Sequence, residues 1–305
     1  MITSIFSKSK PINFIIVAVL VIFVFVTTYY NQLFYDFSSA LSMLSKLGVV
    51  LFLIFLLDFI VSKNKLTQNN SYAIMVLGLL FFMFPGAMRY SDLLFAGLFN
   101  LFALRRLINL HSKIDIKKKL FDAAFWIGLA ALFYFWSILF FALVIVALIY
   151  YSQNDLKNVI IPFVGLLTIL ILFVAFNILF HDTFFKPDDF NRFSSLDLTP
   201  YNTKSSIIKL TVLATLHIWI LVYFFRIIPD KNKKLKPTYF IIAWASIIAV
   251  LVAIIAPEKN GSEFIFLFVP FSIMMANYVE VISERWFKEV FVALLIITPL
   301  LTLLL

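Results

Sequence analysis

The sequence predicts an all-α fold: a single polytopic transmembrane domain over residues 1–305, a bundle of about eleven helices with the N-terminus inside and the C-terminus outside. Three observations predict it. The first is composition: 63% of residues are hydrophobic, 13% are charged and mean hydropathy is +1.03, whereas a soluble domain is about half apolar and about a quarter charged. The second is distribution, because apolar runs recur from end to end and leave no stretch for a sizeable soluble domain. The third is the Arg105–Lys119 stretch, a basic connector in an otherwise apolar chain. Loops on the cytoplasmic side carry an excess of Lys and Arg near helix ends, so this connector lies inside and the other crossings are counted from it.

Ile12 to about Val26 forms the first helix, with Lys8 and Lys10 before it and Tyr29-Tyr30 after it. A signal peptide is the alternative, but no small-x-small cleavage site follows, and the tyrosines suit an interfacial aromatic belt. Asn31–Lys46 is amphipathic and too polar to span, so it reads as a short helix along the outer interface. Helix 2 runs from about Leu47 to Ile60, with Asp58 near its inner end, and helix 3 from about Ala73 to Phe84. Pro85-Gly86 ends helix 3, and Arg89 to Asp92 form an outer turn before helix 4, about Leu93 to Leu104. Helices 3 and 4 are short for a hydrocarbon core of roughly 30 Å. They extend into flanking polar residues or lie inside the bundle.

Residues 121–151 form one apolar run, read as a hairpin of two short helices that breaks near Tyr134–Ser137. One long helix is the alternative, but the hairpin returns Lys157 to the inside. Helix 7 (about Val159 to Phe180) tolerates Pro162 in its first turn. His181–Lys204 is the longest polar stretch and counts as outside. Helices 8 to 11 follow at about Ile207–Ile228, Thr238–Ala256, Phe264–Val279 and Val290–Leu305. This count puts 18 of the 25 Lys and Arg inside, while the 16 acids divide 8 and 8. A bias in Lys and Arg with none in acids is the signature of the positive-inside rule. The expected location is a bacterial cytoplasmic (inner) membrane.

Composition also excludes chemistry. No cysteine means no disulfide, thiolate metal site or cysteine nucleophile. No Walker loop, G-x-G-x-x-G or G-x-S-x-G occurs, which argues against the usual ATPase, nucleotide-binding dehydrogenase or serine hydrolase. The net charge of +9 sits at helix ends and suits anionic headgroups rather than nucleic acid. The predicted partners are therefore membrane lipids and other membrane proteins.

The candidate site gathers polar residues of the outer face. Asp36 is among them, and a carboxylate beside a cleft can act as a base towards a hydroxyl. Lys46, Arg89, Asp92, Arg192 and Glu263 are candidate substrate-binding residues, because Lys and Arg clamp a phosphate. Asp188-Asp189 offers oxygen ligands for a divalent cation. For each of these a solvated loop charge is the competing reading. His217 in helix 8 reads either as a proton relay or as a histidine bonded to a neighbouring helix, and the three histidines are too far apart for a local zinc motif.

Three stretches carry a resemblance: Tyr29–Asp36, Arg89–Arg106, and Ser262–Phe271 with its Pro270. Their layout resembles the C-type glycosyltransferases, integral-membrane enzymes that use polyprenyl-phosphate sugars. The resemblance implies Asp36 as catalytic base, Arg89 and Arg192 at the lipid phosphate, and a polyprenyl-linked substrate for envelope glycan assembly. The chain departs from that pattern by one acid in place of a pair in the first loop and by Glu263 where a basic residue is usual. It also resembles an uncharacterised family of multi-pass bacterial inner-membrane proteins. The alternative functions are a non-catalytic scaffold subunit of an envelope complex and a lipid or solute transporter.

Overall fold

The computed structural model describes residues 2–151, 155–184 and 194–303. Among them every regular element is a helix and there is no strand. Inside a bilayer this is one of the two arrangements that satisfy every backbone N–H and C=O, the other being a closed barrel. The α-helices are α1 (Ile2–Phe6), α2 (Pro11–Leu33), α3 (Phe37–Lys63), α4 (Tyr72–Met83), α5 (Ser91–Ile108) and α6 (Ile116–Phe133). They continue as α7 (Ala142–Tyr150), α8 (Leu156–His181), α9 (Lys204–Ile227), α10 (Lys236–Ile255), α11 (Ile265–Val281) and α12 (Arg285–Leu303). Each of the eleven predicted helices has a counterpart in α2 to α12, and α1 is an addition. Among the described residues seven segments are long and apolar enough to cross a membrane, while α4 and Phe135–Tyr150 are shorter apolar segments.

Two boundaries differ from expectation or decide an alternative. The predicted interfacial helix before Lys46 is the opening of α3, a single helix of 27 residues. Asp36 caps it, no proline follows, and nothing lies within 4 Å of where a Cβ on Gly48 would stand. Nothing therefore stops the helix before Asn64. The 121–151 run does break, at Tyr134, whose extended backbone separates α6 from the 3-10 helix Phe135–Phe141. That segment packs back on α6. The Tyr151 hydroxyl consequently reaches the Ile108 carbonyl at 3.1 Å, at the end of the bundle where α6 began. This is the hairpin.

The chain packs as two compact units. Unit 1 comprises residues 1–94, 197–227 and 259–305. Its core is the pair α4 and α11, the most deeply buried helices of the chain. Phe81 meets Phe268 edge-on at 5.3 Å, and Phe84 meets Phe264 at 5.1 Å. Around this pair stand α2, α3, α9 and α12. The short, fully apolar α4 is thus an interior helix, one of the two solutions its length allowed. A Cβ on Gly78 would come within 2.6 Å of Val17 Cγ1, so α2 lies close against α4 only because residue 78 is glycine.

Unit 1 has two polar ends. At one, Glu280 accepts from the Gln68 amide and from Asn70 Nδ2, both at 2.8 Å, and Glu289 accepts from Thr3. At the other, the Tyr29 hydroxyl donates to the Pro85 carbonyl at 2.8 Å. Residues read from sequence as inside thus meet one another, and so do two read as outside.

Unit 2 comprises residues 95–196 and 228–258. Helices α6 and α8 form its most extensive contact. Phe99 stacks on Trp126 at 5.7 Å, and Tyr150 stacks on Phe240 at 4.2 Å, which joins α7 to α10. Arg106 pairs with Asp122 at 2.9 Å.

Candidate functional site

The polar end of unit 1 is built around one turn. Proline 85 cannot continue α4, and it pushes Phe84 before it out of the helical region, to φ −126° and ψ 71°. Pro85–Met88 then forms a 3-10 turn that leads through Arg89 and Tyr90 into α5. The Tyr29 bond ties this turn to α2.

On one side of the turn lie three of the sequence candidates. Arg89 sits over the Tyr90 ring at 5.6 Å. Lys46, three turns into α3, is close enough for its charge to interact with both Arg89 and Asp92. The Tyr29 hydroxyl also feels Arg89. Asp92 stands in the first turn of α5, where the helix dipole favours a carboxylate. Two cations, one carboxylate and a phenol therefore share one locality.

On the other side the Ser262–Phe264 turn, which opens α11, packs against Pro85–Met88. Gly261 before it adopts φ +89°, a left-handed conformation that glycine takes without penalty. Asn260 Oδ1 accepts from the Ser262 amide and hydroxyl and closes the loop. Between these turns and α9 lies a cavity of about 160 Å³. Tyr201, Ser206, Lys209 and Asn260 give it polar lining, and Met83 and Phe84 part of its apolar wall. Among the described residues Lys209 is in no ion pair, and the Tyr201 hydroxyl is buried without a hydrogen-bond partner. An ammonium beside hydroxyl and amide groups suits a phosphate or a sugar hydroxyl.

Glu263 is fully buried in the Ser262–Phe264 turn. Neither carboxyl oxygen makes a well-formed hydrogen bond among the described residues; the backbone of Glu263, Asn260 and Gly261 lies nearest to it and interacts with it weakly. A polar group buried in that way costs free energy, so its presence in the turn that follows the cavity-lining Asn260 and Gly261 is a clear departure from simple packing in this unit.

Asp36 stands apart. Its carboxylate is exposed and accepts the Ser39 amide at 2.8 Å, the N-cap of α3. The hydrogen bonds from Ser39 hold the carboxyl below the usual aspartate range. Arg192, Asp188 and Asp189 lie outside the described residues. Among the described residues no three His, Asp or Glu side chains gather to hold a metal. His217 is buried on α9 with its ring 6.2 Å from Phe271, and among the described residues its Nε2 has no hydrogen-bond partner.

The structure thus brings Lys46, Arg89 and Asp92 together and puts Glu263 in a turn that packs on the same Pro85–Met88 element. Sequence reasoning missed Tyr29, Tyr201, Ser206 and Lys209. Lys209 carried a usable signal, since a charge one turn inside an apolar span is rare and often functional. No curated protein and no solved structure matches the chain. A family model, DUF6427, described as a family of unknown function, matches residues 1–304.

Proposed function

The chain belongs to DUF6427, a family of unknown function, and we propose that it is a multi-pass protein of a bacterial inner membrane that handles a polyprenyl-linked sugar at the outer face. The observation that carries the reading is the juxtaposition around Pro85–Met88: Lys46, Arg89 and Asp92 on one side, the Lys209 cavity on the other. Cations at that depth neutralise a phosphate that a lipid tail anchors in the bilayer. Ser206, Tyr201 and Asn260 offer donors and acceptors to sugar hydroxyls. The apolar content of the chain, 63%, supports the membrane setting.

The reaction this reading assigns is glycosyl transfer. A carboxylate takes the proton of an acceptor hydroxyl as that oxygen attacks the anomeric carbon. The bond to the lipid phosphate breaks, and Arg89, Lys46 or Lys209 stabilises the leaving phosphate. Asp36 is the base that the resemblance to C-type glycosyltransferases implies, and its lowered pKa keeps it ionised. Its engagement as a helix cap favours a second reading, in which Asp36 is structural and the protein is a non-catalytic subunit of an envelope complex.

The test uses a deletion strain complemented with wild type, Lys209→Gln, Arg89→Gln or Asp36→Asn, with membrane levels matched. Polyprenyl-linked and surface glycans are profiled by mass spectrometry. Accumulation of one lipid-linked sugar in the Lys209 and Arg89 variants supports the reading and identifies the donor. Normal profiles in both variants refute it. A defect in Asp36→Asn assigns Asp36 to the chemistry, and a normal profile leaves it as the α3 cap.

A further inference from the structure

Unit 2 carries a feature that the reading above does not use. An apolar groove of about 360 Å³ runs between α7 and α8, lined by Val144, Ile145, Leu148 and Ile149 on one wall and Val159, Pro162 and Phe163 on the other. Its wall residues Ile145, Ile149, Val159 and Phe163 are exposed, so none of the described residues fills it. One end of the groove is defined by Ile149 and Val159. Tyr151 follows Ile149 by two residues, and Lys157 precedes Val159 by two.

That end is strongly basic. The Tyr151 hydroxyl reaches the Ile108 carbonyl at 3.1 Å and Thr238 Oγ1 at 2.9 Å, which joins the Arg105–Lys119 connector to the start of α10. The segments 105–119, 155–157 and 230–236 together hold eleven Lys or Arg and three Asp. Several of these charges are already committed: Arg106 pairs with Asp122, and Lys119 donates to Asn109 O and Ser112 Oγ. Asp155 is committed too, as the cap of α8 that accepts the Lys157 amide. Lys113, Lys117, Lys118 and Lys157 are exposed and, among the described residues, in no ion pair.

We propose that this α7–α8 groove and the lysines at its mouth form a binding site for one anionic phospholipid. The headgroup phosphate lies against Lys117, Lys118 and Lys157, and one acyl chain lies in the groove. Each half alone is ordinary, since helix ends are basic and membrane helices have apolar grooves. Their junction is what selects an anionic lipid: Gly165 of α8 lies against Phe121 of α6 and Gly128 of α6 against Ile169 of α8, so the two helices run the same way and Lys117, Lys118 and Lys157 share the end where the groove stops, and charge and chain are satisfied by the same molecule. Hydrocarbon in the groove also replaces the contacts that an empty wall lacks.

The purified full chain in neutral detergent provides the test, read by thermal unfolding and by native mass spectrometry. Phosphatidylglycerol and phosphatidylcholine with the same acyl chains are titrated, with glycerol 3-phosphate as the headgroup without chains. The expected result is retention and stabilisation by phosphatidylglycerol at concentrations at least tenfold below those needed for phosphatidylcholine, and no effect of glycerol 3-phosphate. Lys117→Gln/Lys118→Gln/Lys157→Gln abolishes the difference between the lipids, and Ile145→Trp, which fills the groove from an exposed position, weakens both. Lys63→Gln/Lys65→Gln, an equal kind of charge loss in unit 1, leaves the preference intact. Equal effects of the two lipids on wild type overturn the proposal. So does a full effect of glycerol 3-phosphate, or a loss of preference in the unit 1 control as large as in the triple variant. Unfolding temperatures without lipid identify a variant that fails for lack of folding, and Ile145→Trp and the triple variant act on different elements, so one folded variant suffices.

Discussion

The carboxylate of Asp36 is asked for by two different explanations, and they separate on substitution. As the N-cap of α3 it accepts the Ser39 amide, a task that asparagine performs equally well and alanine does not perform at all. Asp36→Ala therefore lowers the unfolding temperature, and Asp36→Asn leaves it near wild type. The pH dependence has a definite sign. The pKa of Asp36 is lowered in the folded chain, so its stabilisation is present above the ordinary aspartate pKa and is lost as pH falls through the lower folded value. Thermal melts of wild type and Asp36→Ala converge at acid pH; melts that stay parallel refute the capping account. Glu263 makes the opposite case. Its oxygens are buried without a well-formed hydrogen bond, so Glu263→Met, apolar and of similar length, removes an unsatisfied group. The variant is expected to be at least as stable as wild type, by up to about 1 kcal/mol. A clear fall in stability would show that the carboxyl has a structural partner. Of the site, the sequence singled out Lys46, Arg89 and Asp92, which the structure brings together. It did not show that Asp36 is bound locally and Glu263 is sealed, because exposure and hydrogen bonding depend on neighbours distant in sequence.

At the scale of the element, glycine spacing marks where helices touch. A Cβ on Gly165 of α8 would stand 2.8 Å from the Phe121 carbonyl oxygen of α6, a backbone atom that cannot rotate away. Gly165→Ala must push the helices apart, a loss of roughly 1–3 kcal/mol. Gly48 in α3 faces open space, so Gly48→Ala gains the helical propensity of alanine, about 0.5–1 kcal/mol. Two glycine-to-alanine changes of opposite sign, measured in the same detergent melts, test the packing of α6 on α8 and the continuity of α3 together. Equal signs would contradict the structure. The helices themselves were legible because apolar runs, Pro85-Gly86 and charged loops delimit them with little ambiguity. The opening of α3 was not, because an amphipathic stretch reads as interfacial until a cap and an unbroken backbone join it to the apolar run behind it. The hairpin at Tyr134 was legible only through charge: returning Lys157 to the basic side required an even number of crossings, and the Tyr151–Ile108 bond is the consequence.

At the scale of the molecule, the distribution of Lys and Arg predicts an orientation that helix packing leaves open. Within unit 1, Glu280 and Glu289 with their partners occupy one polar end, and Tyr29 with Pro85 the other. That grouping fixes which loops share a side and not which side faces the cytoplasm. The absence of cysteine from the sequence makes the orientation directly measurable, since any introduced thiol is the only one. Ser38→Cys and Asn202→Cys lie in segments predicted outside, and Lys65→Cys and Lys233→Cys in segments predicted inside; all four positions are exposed, at a helix end or in a turn or loop, and Lys65 has the left-handed backbone of a turn. With a membrane-impermeant maleimide, the first pair labels in intact cells and the second pair only after permeabilisation. The reverse pattern would invert the topology and put the Lys209 cavity on the cytoplasmic side, where the donor would be a different class of molecule. Labelling of Ser38→Cys and Asn202→Cys from opposite sides would break the helix count itself, because α3 to α8 would then contribute an odd number of crossings between them. The orientation thus decides the meaning of the site: the same cations that suit a polyprenyl-linked phosphate on the outer face would meet soluble nucleotide sugars on the inner one.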